Sequence, residues 1–254
     1  MKLKLWYDKT VQDNAGHYFD AVKKCRKKLE GLRVAMETTK SRLANIESEE
    51  LRYKEKEEKK KNRKWFDDYH NFVSSDGFLC VGGRSAGGNE KLVKTHMEKD
   101  DLVLHTDMAG SPFFVIKDGQ DAPETTIKEC AQMVAVFSRA WKEGLGTADV
   151  FYVKPEQVSK TTNSGESMGT GSFMVRGDTK YVHPRVECAA VMEDEGKIVP
   201  RLTAEKKYKK YVILVPGRNK KTAIAKKLVK LLKGHVDDYV RVMPSGGSEI
   251  KRKK

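Results

Sequence analysis

Paired thiols and metal-ligand spacings are missing from this 254-residue chain: Cys25, Cys80, Cys130 and Cys188 form no C-x-x-C pair, and no histidine stands at zinc-ligand spacing from them. A disulfide framework and a structural zinc are therefore not expected, and the pattern suits a reduced, cytoplasmic protein without a metal or other cofactor. Long apolar runs are missing as well. No segment approaches the roughly 20 residues that span a bilayer, and the N-terminus has no signal-type apolar core, so membrane and secreted classes fall away.

Acidic residues are scarce at both ends. Residues 200–254 hold 17 Lys and Arg against 4 Asp and Glu, and residues 1–64 hold 19 against 11, whereas residues 65–199 hold 14 against 21. The whole chain carries +14. Two basic ends around an acidic middle suit a polyanion gripped at two places, and a solvated lysine surface is the alternative that charge leaves open.

What is present begins with a helix outside any globular core. Tyr18, Val22, Cys25, Leu29, Leu32, Met36, Thr39, Leu43 and Ile46 alternate steps of four and three, with charged residues filling most positions between. That is a coiled-coil seam, and Val22, Cys25, Leu29, Leu32, Met36, Leu43 and Ile46 are expected to meet a partner helix. Thr10 and Asp13 stand at capping-box spacing, and a helix from Asp13 to Asn62 would run about 75 Å at about 1.5 Å per residue. The stretch RYKEKEEKKKNRK has no apolar seam and reads as solvated helix or frayed linker.

Residues 65–243 read as an α/β or α+β mixed-sheet globular domain, preceded by the arm and linker at 1–64 and followed by a mobile basic tail at 244–254. YHNFVSSDGFLCVGG predicts two strands around an SSDG turn, and a small helix is expected from Glu90 to Met97. LVLHT and FFVI flank the DMAGSP turn as strands. Pro123 opens a helix through TIKECAQMVAVFSRAW that is apolar almost all round. Further strands are expected at DVFYV, SFMVR, ECAAVM and YVILV. In TAIAKKLVKLLK, Ile224, Leu228, Leu231 and Leu232 share one face while Lys226, Lys230 and Lys233 stripe the other.

GGRSAGGNE has Gly82 and Gly87 at the spacing of the outer P-loop glycines, but Gly88 and Asn89 stand where Lys and Ser/Thr are needed, so nucleotide hydrolysis is not expected. His105 and Asp107 lie two apart at a strand end and share a face. A structural hydrogen bond, an RNA or substrate contact and acid–base chemistry are all open to them. SKTTNSGESMGTGSFMVRG sets Lys160 and Arg176 on a glycine-bearing loop with accessible backbone donors, or simply on a hairpin. PGRNKKT places Arg218, Lys220 and Lys221 by a helix N-terminus that favours a phosphate. Trp65 and Trp141 sit in apolar contexts and read as core, which leaves no stacking partner for a base.

The ordered signatures FVSSDGFLCVGGRSAGGNE, LHTDMAGS, VSKTTNSGE and GTGSFMVRG resemble the RNA-binding domain of the NFACT family of ribosome quality-control factors (NEMF/RqcH-like). The helix before them resembles the end of that family's coiled-coil arm, so the resemblance covers nearly the whole chain. It includes a GGR-x-A-x-x-NE block, with Ser85 where many relatives carry Asp, and a His-x-Asp-x-x-Gly turn at His105, Asp107 and Gly110. The resemblance implies a non-enzymatic partner of tRNA and the large ribosomal subunit. Arg84, Lys160, Arg176, Arg218, Lys220, Lys221, Lys226 and Lys230 are the residues expected at RNA. Family members also carry an N-terminal domain tied to aminoacyl-tRNA recruitment and a helix-hairpin-helix segment, neither present in this sequence, so template-independent tailing is not expected of it alone. The partner of the arm is expected to be a second copy or a polypeptide bearing the missing N-terminal half. A general nucleic-acid adaptor, or an RNA-acting enzyme using His105 and Asp107, are the alternatives.

Overall fold

The computed structural model describes residues 3–61, 64–161 and 168–251, in two units, Met1–Lys64 and Trp65–Lys254. In the first, helix α1 spans Val11–Lys61. Its start is a true capping box: the Asp13 N–H donates to Thr10 Oγ1 at 3.2 Å and the Thr10 N–H returns to Asp13 Oδ2 at 3.3 Å. The preceding segment folds back along the first turns. Buried Asn14 accepts from the Trp6 N–H at 2.9 Å and donates to the Trp6 carbonyl at 3.0 Å, while the Tyr18 hydroxyl donates to the Lys4 carbonyl at 2.6 Å. Val22, Leu29, Leu32, Met36, Leu43 and Ile46 are all exposed along this helix, as is Cys25. Such a long helix with an open apolar seam fits a coiled-coil strand. The side chains of the charged stretch from 52 to 63 lie outside the described residues.

The second unit has two larger antiparallel sheets. Strands β1 (His70–Val73), β2 (Leu79–Gly82), β3 (Leu102–Thr106), β4 (Phe114–Ile116), β5 (Val150–Val153) and β8 (Lys180–Val182) form a sheet in the order β1-β2-β4-β3-β5-β8. Strands β6 (Val158–Ser159) and β7 (Met174–Val175) pair with each other as a separate two-stranded sheet. Strands β9 (Cys188–Met192), β10 (Gly196–Val199), β11 (Val212–Asn219) and β12 (Ser248–Ile250) form the second, ordered β10-β9-β11-β12. Every described pairing is antiparallel, so the architecture is α+β, without parallel strands in a mixed sheet.

Period-two alternation decides what each face of the first sheet covers. Leu102 and Leu104 of β3 and Phe114 and Ile116 of β4 join the main core, with Cys130, Val134 and Trp141. Val103 and Val115, one residue out of phase, enter smaller clusters on the other face. The main core is built on helix α3 (Glu124–Phe137), which stops at Ser138 before the short α4 (Arg139–Glu143). One continuous helix is the sequence expectation; the Ser138 hydroxyl instead accepts from the Ala140 N–H at 3.1 Å and starts a new one. Pro123 caps α3 rather than occupying its first turn.

Helix α2 (Ala86–Lys91) also differs from the expected Glu90–Met97 helix. It starts at Ser85, whose hydroxyl accepts from the Gly88 N–H at 3.1 Å, and passes into a wide π-type turn over Leu92–His96. Helices α5 (Arg201–Lys207), α6 (Lys221–Leu232) and α7 (Val236–Val242) complete the unit. On α6, Ala225 joins Ile224, Leu228 and Leu232 in the core, whereas Leu231 is 46% exposed. The expected mobile tail is corrected at Ser248–Ile250, which pairs with β11. Trp141 Nε1 donates to the Gly247 carbonyl at 3.0 Å, and the Lys251 ammonium meets Glu187 at 2.6 Å, tying this segment down from both sides. Residues 252–254 lie outside the described residues.

Candidate nucleic-acid interface

The sequence signatures converge on two adjacent residues of α2. Buried Asn89 donates to the Ser111 carbonyl at 3.2 Å and accepts from the Phe113 N–H at 3.1 Å, clamping the end of the 107–111 turn. Gly83 makes room for it: a Cβ there would lie 2.0 Å from Asn89 Oδ1 and 2.7 Å from its backbone nitrogen. Glu90 reaches the other way, accepting from Lys94 at 2.7 Å, from the Gly171 N–H at 2.9 Å and from Lys160 at 3.0 Å. Those donors, Lys94 foremost, pull its carboxyl down to about 2. Gly171 has φ +76°, and a Cβ on it would fall 2.6 Å from Ala86 Cα, so glycine lets the hairpin meet α2.

Lys160 is therefore turned toward the fold. Besides Glu90, its ammonium donates to the carbonyls of Gly169 and Ser172 at 2.8 and 3.3 Å and lies 4.9 Å from the centre of the Phe173 ring. Arg176 donates to the Thr161 carbonyl at 3.3 Å, and Arg84 to the Tyr69 carbonyl at 3.0 Å. The TNSGES part of the glycine-bearing loop (162–167) lies outside the described residues.

His105 and Asp107 do not meet as an acid–base pair. The His105 ring stacks on Phe113, 4.1 Å between centroids, with Nε2 3.3 Å from the Ser111 carbonyl. Burial lowers its basicity to about 4, so it is neutral at pH 7. Exposed Asp107 accepts from the Tyr181 hydroxyl at 3.2 Å. Gly110, at φ +80°, supplies the left-handed step of the turn. No group of three His, Cys, Asp or Glu side chains is arranged to hold a metal among the described residues.

A further set of exposed cations lies at α6. Arg218 and Lys220 are exposed before α6, and Lys226, Lys227 and Lys230 are exposed along it. No ion pair joins these five residues to an acidic partner among the described residues. Lys221 departs from them: it is half-buried, donates to the Met243 carbonyl at 2.9 Å, and burial lowers its basicity. Trp141 is core at 1% exposure, but Trp65, expected there too, is 40% exposed. The sequence marks Asn89 and Glu90 as the end of the GGR-x-A-x-x-NE block but gives neither an organising role.

Residues 68–177 match a family described as NFACT protein RNA binding domain. The chain is 38% identical over 204 residues to the archaeal Rqc2 homolog aRqcH of Methanocaldococcus jannaschii, covering 76% of this chain and 30% of that protein. It is 32% identical over 177 residues to ribosome quality control complex subunit NEMF of Homo sapiens, covering 67% of this chain and 16% of that one. Among solved structures, the C-terminal part of the fibronectin/fibrinogen-binding protein of Streptococcus suis is 21% identical, with a TM-score of 0.40, covering 70% of this chain and 77% of that one. The chain thus spans less than a third of the length of these two curated relatives.

Proposed function

The chain is a member of the NFACT family, with that family's RNA-binding domain at residues 68–177, and on this premise we propose that it is the RNA-gripping part of a ribosome-associated quality-control factor. Its targets are large-subunit rRNA and tRNA on stalled ribosomes, it works in the cytoplasm, and it holds RNA without catalysing a reaction. The observation that carries this reading is the row of exposed cations from Arg218 and Lys220 onto Lys226, Lys227 and Lys230 of α6. Phosphates are held by cations whose charge is not already neutralised within the fold. Lys160, engaged with Glu90, acts by shaping the adjoining surface, and exposed Arg84 and Arg176 extend the cationic surface. The arm pairs through its seam with a second copy or with a helix on another polypeptide.

Fluorescence anisotropy with tRNA, large ribosomal subunits and duplex DNA tests the reading. Binding to tRNA and subunits that exceeds binding to DNA, and that weakens in a Lys226→Gln, Lys227→Gln, Lys230→Gln variant, is expected. Equal affinity for all three would favour a general nucleic-acid adaptor, and no binding to either RNA would defeat the proposal.

A further inference from the structure

Trp65 opens the domain with its indole stacked on the His96 imidazole, centroids 4.2 Å apart and the planes 17° from parallel. Phe66 and Tyr69 meet the indole edge-on at 5.6 and 6.1 Å. One ring face is thereby taken up and two flanks are closed, yet the residue stays 40% exposed. A tryptophan buries more apolar area than nearly any other side chain, and leaving it open forgoes that gain.

The support beneath it is tied by hydrogen bonds. His96 ends the wide turn in which the Met97 N–H bonds the Leu92 carbonyl at 3.1 Å, a backbone form that recurs at functional sites. The Lys117 ammonium holds the His96 carbonyl at 2.9 Å and is itself fixed by Asp101 at 2.8 Å. Burial, then the charges of Lys91 and Lys117, lower the basicity of His96, so its ring is neutral at pH 7 and stacks as an uncharged plane. Tyr69, edge-on to both rings, is 3% exposed, and its hydroxyl has no hydrogen-bond partner among the described residues. That is an unmet polar group beside an open aromatic face.

We propose, on the RNA-binding reading above, that Trp65 and His96 form a stacking ledge for an unpaired base of the bound RNA, with exposed Lys91 at the neighbouring phosphate. A paired base hides its ring faces within the helix, whereas a splayed base offers one to an aromatic side chain. A planar π-system completing a stack of three rings suits the indole, and the adjacent lysine suits the phosphate that accompanies any base. Stacking of this kind tolerates every base, so the ledge distinguishes unpaired from paired RNA and not one sequence from another.

The test uses the full chain with a single-stranded oligoriboadenylate and an RNA duplex of equal length. Trp65→Ala should weaken binding of the single strand about 5- to 150-fold, the range for loss of one stacked base, and leave the duplex nearly unchanged. The single strand should quench tryptophan fluorescence in the parent, and Trp65→Phe should bind with most of the parent's affinity while losing that quench. If Trp65→Ala does not fold, the Trp65→Phe comparison decides. Unchanged single-strand affinity in a folded Trp65→Ala, an equal loss on both RNAs, or a quench that survives in Trp65→Phe would each overturn the ledge. Altered self-association with intact RNA binding would do so as well, by identifying a protein contact. A parent that binds the duplex without a Trp65-dependent response to the single strand defeats the ledge alone, whereas a parent that binds neither RNA defeats the RNA reading beneath it.

Discussion

The ammonium of Lys160 lies 3.0 Å from a carboxylate oxygen of Glu90, a residue 70 positions earlier in the chain. This pair joins α2 to the glycine-bearing hairpin, and the Gly171 N–H completes the junction on the same carboxylate at 2.9 Å. The most basic-looking position of the hairpin is thus held by the fold, whereas Lys226, Lys227 and Lys230 of α6 are exposed.

Glu90 gives the junction a pH dependence. Its carboxyl is lowered from an ordinary 4.5 to about 2, chiefly by Lys94, then by Gly171 and Lys160. A depressed carboxyl stabilises the fold fully above the unfolded value and loses that effect as pH falls through the folded one. Thermal unfolding measured from pH 6 down to pH 2 should therefore show a loss below about 4.5 that is smaller in Glu90→Gln. Identical profiles for the two proteins would remove Glu90 from the junction.

His105 adds a loss of stability on acidification over a higher pH range. Burial first, against weaker opposing contacts, takes it from 6.5 to about 4. Between those values the unfolded chain takes up a proton that the folded chain refuses, so this site costs stability as pH falls from 6.5 toward 4. His105→Leu should flatten that part of the profile, and ring-proton shifts of His105 should stay those of neutral imidazole at pH 6. RNA affinity between pH 6 and 8 should not follow its titration. A His105 ring that protonates near pH 6.5 would reopen the acid–base reading.

The strongly periodic parts are legible in the sequence. The seam of α1, the apolar α3, the first hairpin and the α6 face each repeat a residue pattern often enough to fix an element. Strands β8, β10 and β12 escape it because KYV, GKIV and SEI mix charged, small and apolar residues with no apolar run. Helix α2 is misplaced by pattern because Gly87 and Gly88 hide a start that only the Ser85 cap discloses. Trp65 and Lys160 mislead for another reason. Whether an indole is covered, or an ammonium is met by a carboxylate, depends on residues distant in sequence, and local pattern carries none of that.

The arm should associate. Val22, Leu29, Leu32, Leu43 and Ile46 are 49–64% exposed on one helix, and each aliphatic side chain that becomes fully buried contributes about 1.5–3 kcal/mol. Sedimentation equilibrium of the full chain at tens of micromolar should detect self-association that is absent when residues 1–63 are removed. A monomer in both cases would mean that the seam needs a different polypeptide.

On the proposed reading, α6 separates grip from support. Lys226 and Lys230 are exposed, while the neighbouring Lys221 is half-buried against the Met243 carbonyl at 2.9 Å. Replacing Lys220, Lys226 and Lys230 with Gln should weaken tRNA and rRNA fragments alike, because lysines at phosphates position without reading sequence. Every phosphate left without its lysine should also make the slope of log affinity against log salt shallower by about 0.7 on single strands and about 0.9 on duplex. Lys221→Gln should behave differently. It removes a part-buried donor to a carbonyl, so the melting temperature should fall, by the equivalent of about 1–3 kcal/mol, while the salt slope holds. Anisotropy across a salt series and thermal melts read both effects on the same samples. If Lys221→Gln flattens the slope as much as the exposed lysines do, its ammonium leaves Met243 to meet phosphate, and the inward hydrogen bond is not kept in the complex.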